Sequence, residues 1–105
     1  MFGMKMIRPA DAKARMAAET GIVLLDVRSA EEYASGHIPG SVLMPLDTIG
    51  AVAATRLPDK DATIFVYCRS GMRSGEAVKA LGKMGYKDVY NLGGIMSWPY
   101  EVVQG

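Results

Sequence analysis

Short apolar runs alternate with amphipathic stretches along almost the whole chain. The runs at 22–25 and 62–67 are apolar on both faces, which is typical of strands buried between two layers. Apolar residues recur at helical spacing in 74–84, where Ala77 and Leu81 share one face. We predict strands at 5–8, 22–25, 41–44, 62–67 and 88–92, and helices at 9–19, 29–36, 47–55, 74–84 and 95–103.

Local signals mark the ends of several of these elements. Ser29 is followed three residues later by Glu32, the spacing of a capping box at a helix start. Pro9 suits the first turn of the first helix. The pair Gly93 and Gly94 predicts a turn after the last strand.

The order of the elements predicts the fold. Strands alternate with helices, which indicates an α/β fold: about five parallel strands with helices on both faces, in three layers. Residues 1–105 are expected to form a single domain, because the length is that of one domain and no linker or repeat interrupts it. Ligands of such sheets bind beyond the carboxyl ends of the strands, where Cys68 is expected.

The charge balance excludes several classes of protein. Twelve basic residues face eleven acidic ones, for a net charge of +1, and no run of like charges occurs. A nucleic-acid partner is therefore not expected, and neither is binding to a membrane surface. No segment has about 18 uninterrupted apolar residues or the form of a secretory signal, so we expect a cytoplasmic protein.

Cysteine and histidine are too scarce for most metal sites. Cys68 is the only cysteine and His37 the only histidine. An intramolecular disulfide is impossible, and metal sites built on several cysteines or histidines are excluded. We expect no metal and no organic cofactor.

The segment CRSGMRS at 68–74 carries the chemistry. It joins a buried strand to a helix start, where backbone N–H groups lack helical partners and the helix dipole is positive. Gly71 permits the chain to curl around the sulfur, and Arg69 and Arg73 are permanent cations. These surroundings favour a thiolate, the nucleophilic form of Cys68. A small inert core cysteine is the alternative, but a core would not continue into two arginines and two serines.

Four motifs together resemble the single-domain rhodaneses, or thiosulfate sulfurtransferases. They are LDVR at 25–28, GHIPGS at 36–41, the 68–74 loop and GGIMSW at 93–98. Each is moderately specific, but their order and spacing are strongly specific for the rhodanese fold, over about residues 7–103. The resemblance implies that Cys68 takes the outer sulfur of a small anionic donor such as thiosulfate. It then passes the sulfur from a persulfide to an acceptor, which is cyanide in vitro and a thiol or protein in the cell.

The resemblance also implies roles for the loop residues. Arg73 matches the arginine that stabilises the bound anion, and Arg69 is placed near the mouth. The loop N–H groups, with the Ser70 and Ser74 hydroxyls, would hold the persulfide, and Met72 is expected to be exposed at the mouth. The anion-binding set is thus Arg69, Ser70, Gly71, Met72, Arg73 and Ser74.

Four further residues are considered supporting positions. Asp26 and Arg28 end the second predicted strand and favour a structural ion pair. His37 favours a hydrogen bond that fixes the turn, because an ionised sulfur needs no general base. Trp98 either walls the pocket or packs the last helix.

Two other functions stay open. One is a non-catalytic sulfur carrier or sensor module, which would contain the same reactive cysteine. The other is phosphatase or arsenate reductase chemistry on the same fold. The resembling phosphatases have one residue more between cysteine and arginine, and usually a histidine where Tyr67 stands. Both differences favour sulfur transfer.

Overall fold

The protein is described here by a computed structural model covering residues 4–105. Its helices and strands follow the predicted alternation. The helices are α1 (Pro9–Ala18), α2 (Ala30–Ser35), α3 (Ile49–Arg56) and α4 (Met72–Lys83), and the strands are β1 (Val23–Asp26), β2 (Val42–Leu43), β3 (Thr63–Cys68) and β4 (Asp88–Gly94). Short 3₁₀ turns at Leu46–Thr48 and Ile95–Ser97 precede α3 and follow β4.

The four strands form one parallel sheet in the order β2-β1-β3-β4. Alternate residues of β3 face opposite layers, because successive side chains of a strand point to opposite faces. Ile64, Val66 and Cys68 belong to the core under α3 and α4. Phe65 and Tyr67 belong to a second core under α1. The predicted three-layer α/β fold is confirmed.

The prediction of a fifth strand at 5–8 is wrong, because this segment does not join the sheet as a strand. In the described part of the chain its contact with β4 is a single bridge between Met6 and Asn91. Two backbone hydrogen bonds hold it, from Ile7 N–H to Asn91 O at 3.1 Å and from Asn91 N–H to Lys5 O at 2.8 Å. Pro9 then starts α1, so the ladder cannot continue, and the sheet of residues 4–105 has four strands instead of five.

Two predicted elements near the carboxyl end also differ. The helix at 95–103 is reduced to the 3₁₀ turn Ile95–Ser97, because Pro99 forces Trp98 into an extended conformation (φ −84°, ψ 111°). Gly93 and Gly94 are the last residues of β4 rather than a free turn. The register shifts by one residue at Val66 and Tyr67, so that Tyr67 and Cys68 lie beside Gly93 and Gly94.

The helix starts follow local chemistry. The capping box of α2 is confirmed: Glu32 N–H donates to Ser29 Oγ at 3.2 Å, and Ser29 N–H donates to Glu32 Oε1 at 3.1 Å. Helix α4 begins at Met72, two residues earlier than predicted, with Gly71 before it at φ +110°. No helix among residues 4–105 is both long enough and apolar enough to span a membrane.

Candidate active site

Cys68 ends the central strand β3, and its side chain is 1% exposed. Gly71 adopts a left-handed backbone conformation, which would be strained for any residue with a side chain. This conformation turns the loop back over the sulfur. The Gly71 N–H donates to Cys68 Sγ at 3.0 Å, and the Cys68 thiol donates to the Ser74 hydroxyl oxygen at 3.5 Å. The loop therefore surrounds the sulfur with hydrogen-bonding groups.

These donors change the acidity of the thiol. Burial raises the pKa of Cys68, but hydrogen bonds from the Ser74 side chain and from the N–H groups of Ser74, Gly71 and Ser70 outweigh it. The net pKa of Cys68 is lowered from its ordinary value of 9.0. The thiolate is favoured mainly by these hydrogen bonds, and the charges of Arg69 and Arg73, also expected from the sequence to favour it, are not among the main causes.

Arg73 has a partner that the sequence analysis did not predict. Its guanidinium donates to both oxygens of Glu32 on α2, at 2.7 and 2.9 Å. This bidentate pair lowers the pKa of Glu32 to about 2, although burial opposes the shift. Thirty-seven per cent of the Arg73 side chain stays exposed. The pKa of Arg73 is raised mainly by its hydrogen bonds to Glu32, with a smaller contribution from the charge of Cys68. Arg73 therefore lies within electrostatic range of the sulfur, and its own charge is paired with a carboxylate.

The remaining loop residues lie on the outer side of the cradle. Arg69 and Ser70 are exposed, and the Ser70 backbone N–H, rather than its hydroxyl, contributes to the lowered pKa of Cys68. Met72 is 81% exposed, as expected for a residue at the mouth. Met96, which is 67% exposed, is tied to the loop by a hydrogen bond from its N–H to Arg69 O at 3.3 Å.

Asn91 is a second residue that the sequence analysis missed. It is buried in β4, and its Oδ1 accepts from Ser74 Oγ at 2.7 Å and from Gly93 N–H at 2.8 Å. Its Nδ2 donates to Gly71 O at 3.3 Å. Asn91 therefore holds both loop residues that contact the sulfur. A polar residue inside an apolar strand pattern was the only signal in the sequence.

Asp26 and Arg28 form a buried ion pair behind the site. Arg28 NH2 donates to Asp26 Oδ2 at 2.7 Å and to Gly36 O at 2.7 Å, with side chains 0% and 5% exposed for Asp26 and Arg28. This geometry agrees with the structural interpretation. The nearby Glu32 does not hydrogen-bond to this pair and binds Arg73 instead.

His37 and Trp98 lie away from the sulfur. The His37 ring stacks on Tyr33, its Nδ1 is 2.8 Å from Tyr33 O, and its backbone bridges to Val103. Trp98 packs in the core under α1, and its Nε1 donates to Glu101 O at 3.2 Å. These contacts favour packing over catalysis for both residues.

A cavity of about 460 Å³ opens at the carboxyl edge of the sheet beside the loop. Two arginines, Arg28 and Arg73, line it together with apolar side chains. The lining residues are Val27, Arg28, Ser29, Pro45, Leu46, Asp47 and Arg73. In the parallel register Val27 follows Asp26, the partner of Tyr67, so this wall residue lies about one strand spacing from Cys68, which does not itself line the cavity.

Comparison with known proteins identifies the family. A sequence model of the rhodanese-like domain matches residues 8–100. The chain is 40% identical over 81 residues to the thiosulfate sulfurtransferase PspE of Escherichia coli, covering 77% of this chain and 78% of that protein. It is 36% identical over 110 residues to the thiosulfate sulfurtransferase GlpE of Pseudomonas fluorescens, covering 100% and 97%.

A solved structure agrees with this match. The structure described as a rhodanese with anions from E. coli superimposes with a TM-score of 0.75 at 38% identity, covering 80% of this chain and 99% of that one. The chain belongs to the rhodanese-like domain family.

Proposed function

We propose that this protein is a sulfurtransferase that moves sulfane sulfur from a thiosulfate-like donor, through a persulfide on Cys68, to a thiophilic acceptor. The observation that carries the proposal is the Cys68 sulfur held 3.0 Å from the Gly71 N–H at the carboxyl end of β3. The lowered pKa of Cys68 supports it, because the thiolate is the attacking form. Two relatives named thiosulfate sulfurtransferase, matched over 78% and 97% of their own lengths, support the choice of donor.

The chemistry takes place in two displacements. The Cys68 thiolate attacks the outer sulfur of thiosulfate and forms a new S–S bond. The old S–S bond breaks, and sulfite leaves with its electron pair. A nucleophilic acceptor, such as cyanide or a thiolate, then attacks the terminal sulfur, and the Cys68 thiolate leaves. The Gly71 N–H stabilises the sulfur anion at both stages. The Ser74 hydroxyl lies 3.5 Å from the sulfur and joins it by turning its hydrogen from Asn91 Oδ1 to the anion.

Arg73 is the cation best placed to receive the sulfonate end of the donor. It borders the 460 Å³ cavity and lies within charge range of Cys68. The exposed Arg69 adds a second positive charge at the mouth and draws anions towards it. The supporting residues Asp26 and Arg28 act by holding the end of β1 in place.

The test is thiocyanate formation from thiosulfate and cyanide by the wild type and by Cys68→Ser. Asp11→Asn, an exposed change on α1, serves as the matched control. We expect Cys68→Ser to lose turnover while remaining folded, and Asp11→Asn to keep it. Turnover by a folded Cys68→Ser variant would overturn the proposal.

Two further assays, sulfur transfer to a protein thiol and hydrolysis of an aryl phosphate, separate the alternatives. Rapid persulfide formation followed by transfer to a protein thiol but not to cyanide would make the chain a carrier. A tenfold or larger preference for an aryl phosphate over thiosulfate, compared by kcat/KM, would make it a phosphatase.

A further inference from the structure

Glu32 does more at this site than the cap of α2 requires. The capping box uses only Oε1, which accepts from Ser29 N–H at 3.1 Å. Arg73 donates to this same oxygen and also to Oε2, which has no part in the cap. The carboxylate therefore joins the start of α2 to the catalytic loop, 41 residues further along the chain.

This contact changes the charge that an incoming anion meets. With a pKa of about 2, Glu32 is ionised at neutral pH, and its negative charge offsets that of Arg73. Arg28, the other arginine that lines the cavity, is paired with the buried Asp26. Arg69 makes no ion pair with any residue from 4 to 105. A dianion beside Arg73 feels twice the repulsion from Glu32 that a monoanion feels.

We propose that Glu32 is a specificity-determining residue that acts through Arg73 and reduces the advantage of dianionic sulfur donors over donors of single charge. The inference rests on the proposed function, in that it takes the Cys68 loop as the donor site. It predicts that monoanionic donors with an organic group, such as alkyl thiosulfonates, compete with thiosulfate better in this protein than in a variant without the carboxylate.

The test removes the charge and leaves the cap. In Glu32→Gln the amide oxygen still accepts from Ser29 N–H, and one hydrogen bond from Arg73 can remain. Glu31→Gln is the matched control, because Glu31 is the neighbouring residue on α2, carries the same charge and is exposed. Glu32→Asp keeps the charge on a shorter side chain and serves as the conservative variant.

The readout is protection of Cys68 from alkylation by iodoacetamide, a neutral reagent, at pH 8. Sulfate and methanesulfonate are the unreactive dianionic and monoanionic probes. The measured quantity is the ratio of their protection constants. We expect Glu32→Gln to increase the preference for sulfate about three- to tenfold, as one charge at several ångströms in a half-exposed site implies. Glu31→Gln should change the ratio by less than about twofold, and Glu32→Asp should stay near the wild type.

Four results would overturn the inference. The first two are an unchanged ratio in Glu32→Gln and an equal change in Glu31→Gln. The third is absence of protection by sulfate in the wild type. The fourth is a decrease of the ratio in Glu32→Gln, since Glu32 would then be needed to aim Arg73 at the anion. The assay requires no sulfur transfer, so a protein that passes it and forms no persulfide contradicts the proposed function and leaves the charge effect standing.

Discussion

Replacement of Gly94 by alanine is expected to displace the catalytic loop. Gly94 lies beside Cys68 at the end of β4, and its φ of −112° is acceptable for any residue. An added Cβ would lie 2.6 Å from Ser70 Cα and 2.7 Å from the carbonyl carbon of Arg69. Carbon atoms pack at about 3.5–4.0 Å, so the loop must move by about 1 Å. The perturbation is therefore steric and acts directly on the backbone that holds the sulfur.

The magnitude follows from this displacement. Overpacking of this kind costs about 1–3 kcal/mol of unfolding free energy. A shift of about 1 Å takes the Gly71 N–H, now 3.0 Å from Cys68 Sγ, beyond hydrogen-bond distance. Misplacement of catalytic groups by that amount lowers the rate on the order of 10²-fold. We expect Gly94→Ala to lose about 10²-fold in kcat/KM for thiosulfate, a larger effect than its loss of stability alone explains.

The assay combines thiocyanate formation with urea unfolding. Gly82→Ala is the control, because Gly82 lies inside α4 and a Cβ there meets no atom within 4 Å. It should gain up to about 1 kcal/mol of stability, since alanine is the better helix former, and keep its activity. A Gly94→Ala variant with activity within twofold of the wild type would refute the reasoning.

Three further predictions follow from the site and its supports. Ser74→Ala removes the hydroxyl that lowers the pKa of Cys68, so the pH profile of iodoacetamide alkylation should move to higher pH, with the rate below the pKa reduced roughly tenfold. Asp26→Asn leaves Arg28 buried without its carboxylate and should cost about 3–5 kcal/mol in urea unfolding. Glu32 has a folded pKa of about 2 against 4.5, so its stabilisation is present above pH 4.5 and lost as the pH falls towards 2; acid titration should show this loss, and Glu32→Gln should reduce it.

Each of these predictions has a result that contradicts it. If the pH profile of alkylation is unshifted in Ser74→Ala, groups other than the Ser74 hydroxyl lower the pKa of Cys68. For the buried pair, the exposed Asp11→Asn is the reference, because its partner Arg8 is in solvent and the change should cost less than about 0.5 kcal/mol. An Asp26→Asn cost as small as that would show that the pair is not needed. Identical acid profiles of Glu32→Gln and wild type would remove Glu32 from the acid response.

The sequence predicts those parts of the molecule that depend on interactions between residues close together in the chain. Alternation of apolar runs with amphipathic segments predicts the parallel sheet, and the Ser29–Glu32 spacing predicts the start of α2. The curl of the loop around Cys68 follows from Gly71 and the N–H groups at the start of α4. None of these features requires knowledge of a distant contact.

Other features depend on residues far apart in the chain. The pair between Glu32 and Arg73 and the support of Ser74 by Asn91 are set by the packing of whole elements. The register shift that places Gly94 against the loop is likewise a property of the folded sheet. Loss of the final helix, in contrast, has a local cause, because Pro99 holds Trp98 in an extended conformation and ends the turn at Ser97.

The central claim is that Cys68 carries the transferred sulfur. The most direct measurement is the intact mass of the reduced protein after incubation with thiosulfate, compared with Cys68→Ala. The account predicts a gain of one sulfur atom in the wild type only, lost on addition of cyanide as thiocyanate forms. The same gain in Cys68→Ala, or no gain in the wild type, would contradict it.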